Sequence, residues 1–181
     1  MGITTETVEW LHQSSLGLAR TMLDSPQADV RPFLLLAWPD EQGGGEVVCV
    51  DAATFHVSRD GSGKEAMMAF IRCLLNGEPA ALSALKLETA PDLICHAAEA
   101  WQVVAKIPEG GVSHDIPSNP LKDHPERSEI LFIQIFESSH THFARHDLAR
   151  DQRGCKAVGD SPMEIDGDLV GRLALHRPAM H

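Results

Sequence analysis

Seven residues, Ile130 to Phe136, read ILFIQIF and are apolar at every position except Gln134. Successive side chains on a strand point to opposite faces, so a run that is apolar on both must be covered on both. The segment predicts a central strand with other elements packed above and below it.

The rest of the chain supplies those elements. Thr4 or Thr5 can cap a first helix, with Glu6 and Glu9 suited to its positive end. Val8, Leu11, Ser15, Leu18 and Met22 recur at helical spacing, an amphipathic helix of about five turns. Ser25-Pro26 ends it. RPFLLLAW from Arg31 and EVVCV from Glu46 flank Gly43-Gly44-Gly45, the pattern of a hairpin. Ser62 and Glu65 form a capping box before a second helix with Met67, Phe70, Ile71, Leu74 and Leu75 on its buried stripe. Asn76-Gly77 closes that helix in the left-handed conformation that glycine permits. Residues 80 to 87 alternate weakly and fit a strand or a helical turn. Residues 93 to 107 favour a strand, and 140 to 148 alternate as a more exposed one. DLVGRLAL from Asp168 reads as a closing helix or an edge strand.

The expected fold class is α+β: an antiparallel sheet of about five strands with helices packed on it, in the order α-β-β-α-β-β-β. That order is similar to the roadblock and profilin domains, a likeness of arrangement that carries no function. Residues 1–153 are expected to form one domain, with 154–181 as a C-terminal extension packed on it. The sheet should set residues 93–107 beside 129–137.

Charge narrows the functional classes. Fifteen Lys and Arg against 26 Asp and Glu give a net charge of −11. Such a surface repels phosphate backbones and anionic bilayers, so neither nucleic acid nor membrane is an expected partner. The N-terminus lacks a basic region followed by an apolar core, and no apolar run approaches the ~18 residues a membrane helix needs. Cys49, Cys73, Cys95 and Cys155 form no CxxC pair and read as reduced thiols in a cytoplasmic protein. Phosphate-binding loops, GxSxG, HExxH and kinase signatures are absent.

Three constellations are candidates for chemistry. His140, His142 and His146 have even spacings, so a strand directs them to one face. His140 and His142 could hold zinc or iron, while His146 lies about 13 Å beyond His142 along a strand. Against this stands a plain exposed face on which histidines are tolerated. Cys95 and His96, adjacent on a strand, point to opposite faces and cannot serve as nucleophile and base. Glu99 sits in an otherwise apolar strand and needs a counter-ion, for which Arg127 or Lys106 are the candidates. Finally, Pro117, Pro120 and Pro125 stiffen a long connection that carries Asp123, His124, Glu126, Arg127 and Glu129 into the central strand. The connection reads as ion-paired, with Arg127 neutralising Glu129 or Glu99, and proline-stiffened, with an outer surface available for binding rather than catalysis.

Glu99-Ala100-Trp101, followed by Pro125, Arg127 and Glu129 and then the apolar strand, resembles an uncharacterised group of small bacterial and phage proteins. Their shared pattern is Glu-Ala-Trp, a short loop, Pro-x-x-x-Pro-x-Arg-x-Glu and an apolar strand. The Pro-to-Pro spacing is longer here, from Pro117 or Pro120 to Pro125. The resemblance implies no activity. It supports a single cross-strand cluster of Glu99, Trp101, Arg127 and Glu129.

The expectation is a non-catalytic protein-binding or regulatory module with no cofactor. It fits a phage or mobile-element accessory protein docking on a host protein. Glu99, Trp101, His124, Arg127 and Glu129 are its candidate binding residues. The alternative is a metal-dependent enzyme using His140 and His142 with zinc or iron. A third reading is a homo-oligomer, such as a homodimer, paired through an exposed sheet edge.

Overall fold

The computed structural model describes residues 4–25, 28–41, 44–57, 62–102, 125, 127–138, 140–152, 155–159 and 163–164. The first helix, α1 (Thr5–Met22), is capped by Thr4, whose side chain accepts from the Thr7 N–H at 3.3 Å. Its buried side is formed by Leu11, Leu16 and Ala19, with Val8, Leu18 and Met22 packed around them. Two strands follow, β1 (Phe33–Pro39) and β2 (Gly45–Asp51), paired residue for residue from Phe33 opposite Asp51 to Pro39 opposite Gly45. Gly45 has φ 144°, and a side chain there would strike the Trp38 carbonyl, so the turn requires glycine.

A short 3-10 turn (Ala53–His56) leads to α2 (Ser62–Leu75), which buries Met67, Met68, Ile71 and Leu74. Ser62 is the first helical residue, so the capping position falls on residue 61, outside the described residues. Gly77 closes the helix at φ 69°.

The weakly patterned stretch after it is a helix, α3 (Pro79–Leu85), with Pro79 in its first turn and Lys86 in the left-handed position beyond its end. Pro79 fixes φ where a helix begins and its missing N–H is not needed there, and that decides between the two readings. The sheet is then completed by β3 (Leu93–Gln102), β4 (Ser128–Phe136), β5 (Thr141–Arg150), the short β6 (Lys156–Val158) and the two-residue β7 (Met163–Glu164).

The fold is α+β, with antiparallel strands in the order β2-β1-β3-β4-β5-β6 and β7 also pairing β5. The two short last strands go beyond the five expected. Residues 156–158 of the expected extension thus belong to the sheet, and residues 165–181, with the closing element expected from Asp168, lie outside the described residues.

The strand β4 is central, as its sequence requires. Leu131, Ile133 and Ile135 join the core under α1, while Phe136 joins Ile94, Leu34 and Leu36 in a second core under α2. Burying each such side chain contributes about 2 kcal/mol, so the sheet is held from both sides. Segments 93–102 and 128–136 lie side by side, with Trp101 opposite Glu129 and Glu99 opposite Leu131.

Candidate binding site

Alternation along β3 puts Glu99 and Trp101 on the same face as Leu93, Cys95 and Ala97, the α1 side of the sheet. Glu129 of β4 lies on that face beside Trp101. Among the described residues the counter-ion of Glu99 is not Arg127, and Lys106 lies outside them. The counter-ion is Lys156 of β6, whose Nζ lies 2.6 Å from Glu99 Oε2, 2.6 Å from Asp29 Oδ1 and 3.5 Å from Glu129 Oε1. A flat sheet would separate β6 from β3 by three strand spacings, roughly 14 Å, so the contact requires the sheet to curl over its α1 face. Val158, beside Lys156, accordingly enters the α1-side core.

The Lys156 side chain is 2% exposed, and that of Glu99 is 19% exposed. Burial alone would lower the lysine pKa, but hydrogen bonds to Asp29 and Glu99 and the charges of Glu99 and Glu129 outweigh it, and the pKa is raised. Glu99 Oε1 also accepts from the Val30 N–H at 2.6 Å, which fastens the α1–β1 connection to the sheet. At the outer rim Arg150 stands 3.7 Å from Glu129 Oε2. At the centre of this cluster Lys156 and Glu99 are largely buried, while Asp29 at its edge is exposed.

Above the cluster the surface is different. Trp101 is 37% exposed, one of two large apolar side chains that are exposed among the described residues. The Arg127 guanidinium lies 5.0 Å from the centre of its ring, a cation–π contact. The ring therefore stands on a strand whose neighbours are pinned by ion pairs, with a cation against one side. Of the five candidate binding residues, Glu99, Trp101, Arg127 and Glu129 come together in this way, and His124 lies outside the described residues.

His142 and His146 share the α1 face of β5, opposite Ile135 and Leu131, as their even spacing requires, but they find different partners. His140 precedes β5 and His142 lies on it, and both approach one carboxylate, Glu137, at 3.8 Å and 2.9 Å. Among the described residues no three His, Cys, Asp or Glu side chains are arranged to hold a metal ion. His146 is buried and meets His12 of α1, Nε2 to Nε2, at 3.0 Å. The Nδ1–H of His146 donates to the Gly159 carbonyl at 2.8 Å, which turns its Nε2 toward His12.

The same arrangement recurs on the other face. His96 Nδ1 faces Gln134 Oε1 at 3.4 Å, and its Nε2 meets His56 Nε2 at 3.2 Å. Burial, with the neighbouring imidazole second, lowers the pKa of His12; burial lowers that of His56; and burial pushes His96 down to about 4. Cys95 lies on the opposite face from His96, as alternation demands. Ser15 Oγ donates to its Sγ at 2.9 Å, and burial raises its pKa to about 12, so it is an inert core thiol.

The two histidine pairs were not legible from spacing, because their partners come from α1 and the 3-10 turn, far away in the chain. Lys156 escaped for the same reason. A shallow cleft of about 180 Å³ lies between α1 and the β4–β5 pair, lined by Val8, Glu9, His12, Ile133 and His142 among others. No protein-family model matches the chain, and no curated protein and no solved structure is significantly similar to it.

Proposed function

We propose that this protein is a non-catalytic docking module that binds a protein partner through the Trp101–Arg127 surface. The observation that carries the reading is an exposed indole with a guanidinium against it, mounted on a strand that an ion cluster holds from beneath. Tryptophan and arginine are the side chains most enriched where binding energy concentrates, and a rigid mount lowers the entropy lost on association. The net charge of −11 favours a partner with a basic surface. An accessory protein of a phage or mobile element, acting on a host protein in the cytoplasm, fits this chemistry, and four free cysteines suit a reducing compartment.

The test begins with the full chain as bait and mass-spectrometric identification of what it retains. Binding of the purified partner is then measured by calorimetry. Trp101→Ala is expected to weaken binding by at least about tenfold, or 1.4 kcal/mol, with little change in thermal stability. A chain that retains nothing, or a partner held equally well by Trp101→Ala, would sink the proposal.

One observation favours a second reading. His140 and His142 both approach Glu137; they are not arranged as a metal site, so zinc or iron would have to draw these two imidazoles and the carboxylate around itself for hydrolytic chemistry. Metal analysis of untagged protein decides it: stoichiometric metal that is lost in His142→Ala would displace the docking proposal.

A further inference from the structure

The two edges of the sheet are treated differently. On one side, among the described residues, β5 is followed by β6 and β7 alone, three and two residues long. The other side ends in β2, seven residues reading GEVVCVD, whose outer edge pairs with nothing among the described residues. Its register with β1 is unbroken, and it contains no proline, lysine or bulge. Soluble proteins guard long apolar edges with those devices because the exposed N–H and C=O groups otherwise template another strand.

The phase of those groups can be read from the hairpin. Hydrogen-bonded and non-hydrogen-bonded pairs alternate along an antiparallel ladder. At one end the Asp40 N–H donates to the Gly44 carbonyl at 3.1 Å, and at the other the Ala52 N–H donates to the Pro32 carbonyl at 2.9 Å. Both belong to the same unbroken register, so Glu46, Val48 and Val50 direct their backbone groups to β1. Pro39, which has no N–H, falls in a non-hydrogen-bonded pair with Gly45, as this phase demands. Gly45, Val47, Cys49 and Asp51 therefore direct theirs outward. That outward set is symmetric about Val48.

We propose that two copies of this chain associate by antiparallel pairing of their β2 edges about a two-fold axis at Val48. In that register Val47 of each copy lies opposite Cys49 of the other and Gly45 opposite Asp51, so every outward-directed residue is engaged. Glu46 lies opposite Val50, so no carboxylate directly faces another, which matters in a chain of charge −11. Val48 meets its own counterpart in a non-hydrogen-bonded pair. The sheet continues through both copies, with the α1 helices on one face and the α2 helices on the other. This surface is at the opposite end of the strand order from β6 and is independent of the docking surface at Trp101.

Two variants test it. Cys49→Pro deletes an outward N–H and leaves the ladder to β1 intact. Sedimentation equilibrium should show a dimer for the native chain and at least about tenfold weaker association for the variant. In a Cys49→Ser background, Val48→Cys should form an intermolecular disulfide with oxidised glutathione, because Cα atoms in such a pair lie about 4.5 Å apart. Val50→Cys should not, since its counterpart is Glu46. Peptide mapping identifies the linkage. A native chain that is monomeric at every concentration would overturn the proposal. So would a dimer that survives Cys49→Pro, or equal cross-linking at positions 48 and 50.

Discussion

His96 is completely buried between β1 and β4, with one nitrogen on Gln134 and the other on His56. It stays neutral until the pH falls to about 4, whereas an unfolded chain binds that proton near the usual 6.5. Between those values the unfolded state holds more protons, so stability rises with pH across the interval. The contribution is fully present above pH 6.5 and is lost as the pH falls through about 4. His12 and His56, also lowered, act in the same direction. Urea denaturation from pH 7 down to pH 4 should show a decline of up to about 3 kcal/mol from His96, and proton NMR should find its ring untitrated at pH 6. An imidazole titrating near 6.5 would contradict the burial argument.

At the scale of elements, legibility followed local pattern. The β4 strand was readable because no other arrangement covers seven nearly continuous apolar residues, and α2 because its stripe and closing Asn76-Gly77 agree. Gly77 adopts φ 69°, and an added methyl would meet Ala90 at an ordinary 3.5 Å, so the cost of Gly77→Ala is conformational rather than steric. It should lower stability by about 1 kcal/mol, read from the denaturation midpoint at unchanged slope. The α3 helix was ambiguous because seven residues give less than two full periods on which to distinguish helix from strand. The β6 strand, at three residues, has no pattern of its own. It exists because its neighbour β5 supplies a ladder and because Lys156 finds carboxylates. Glu99 announced its need for a cation, but its own strand gives no sign that residue 156 supplies one. Only the curl of the sheet brings Lys156 to it.

Across the whole molecule, that lysine joins three distant parts of the chain: the connection before β1 through Asp29, the sheet interior through Glu99, and β6 itself. Removing it leaves Glu99 without its ammonium in a site that water barely reaches. Lys156→Met is expected to cost about 3 kcal/mol in urea denaturation. Glu99→Gln added to it should restore part of the loss, since a neutral amide needs no counter-ion. Asp29, whose side chain is 70% exposed, contributes little, and Asp29→Asn should change stability by less than about 1 kcal/mol.

The order in which a ribosome lays down these groups adds a consequence. Asp29, Glu99 and Glu129 emerge in that sequence, and the ammonium that reconciles them arrives only with residue 156. A nascent chain halted before it carries repelling negative groups at the mouth of its own sheet. Glu99 meets its ammonium only once synthesis has passed β6.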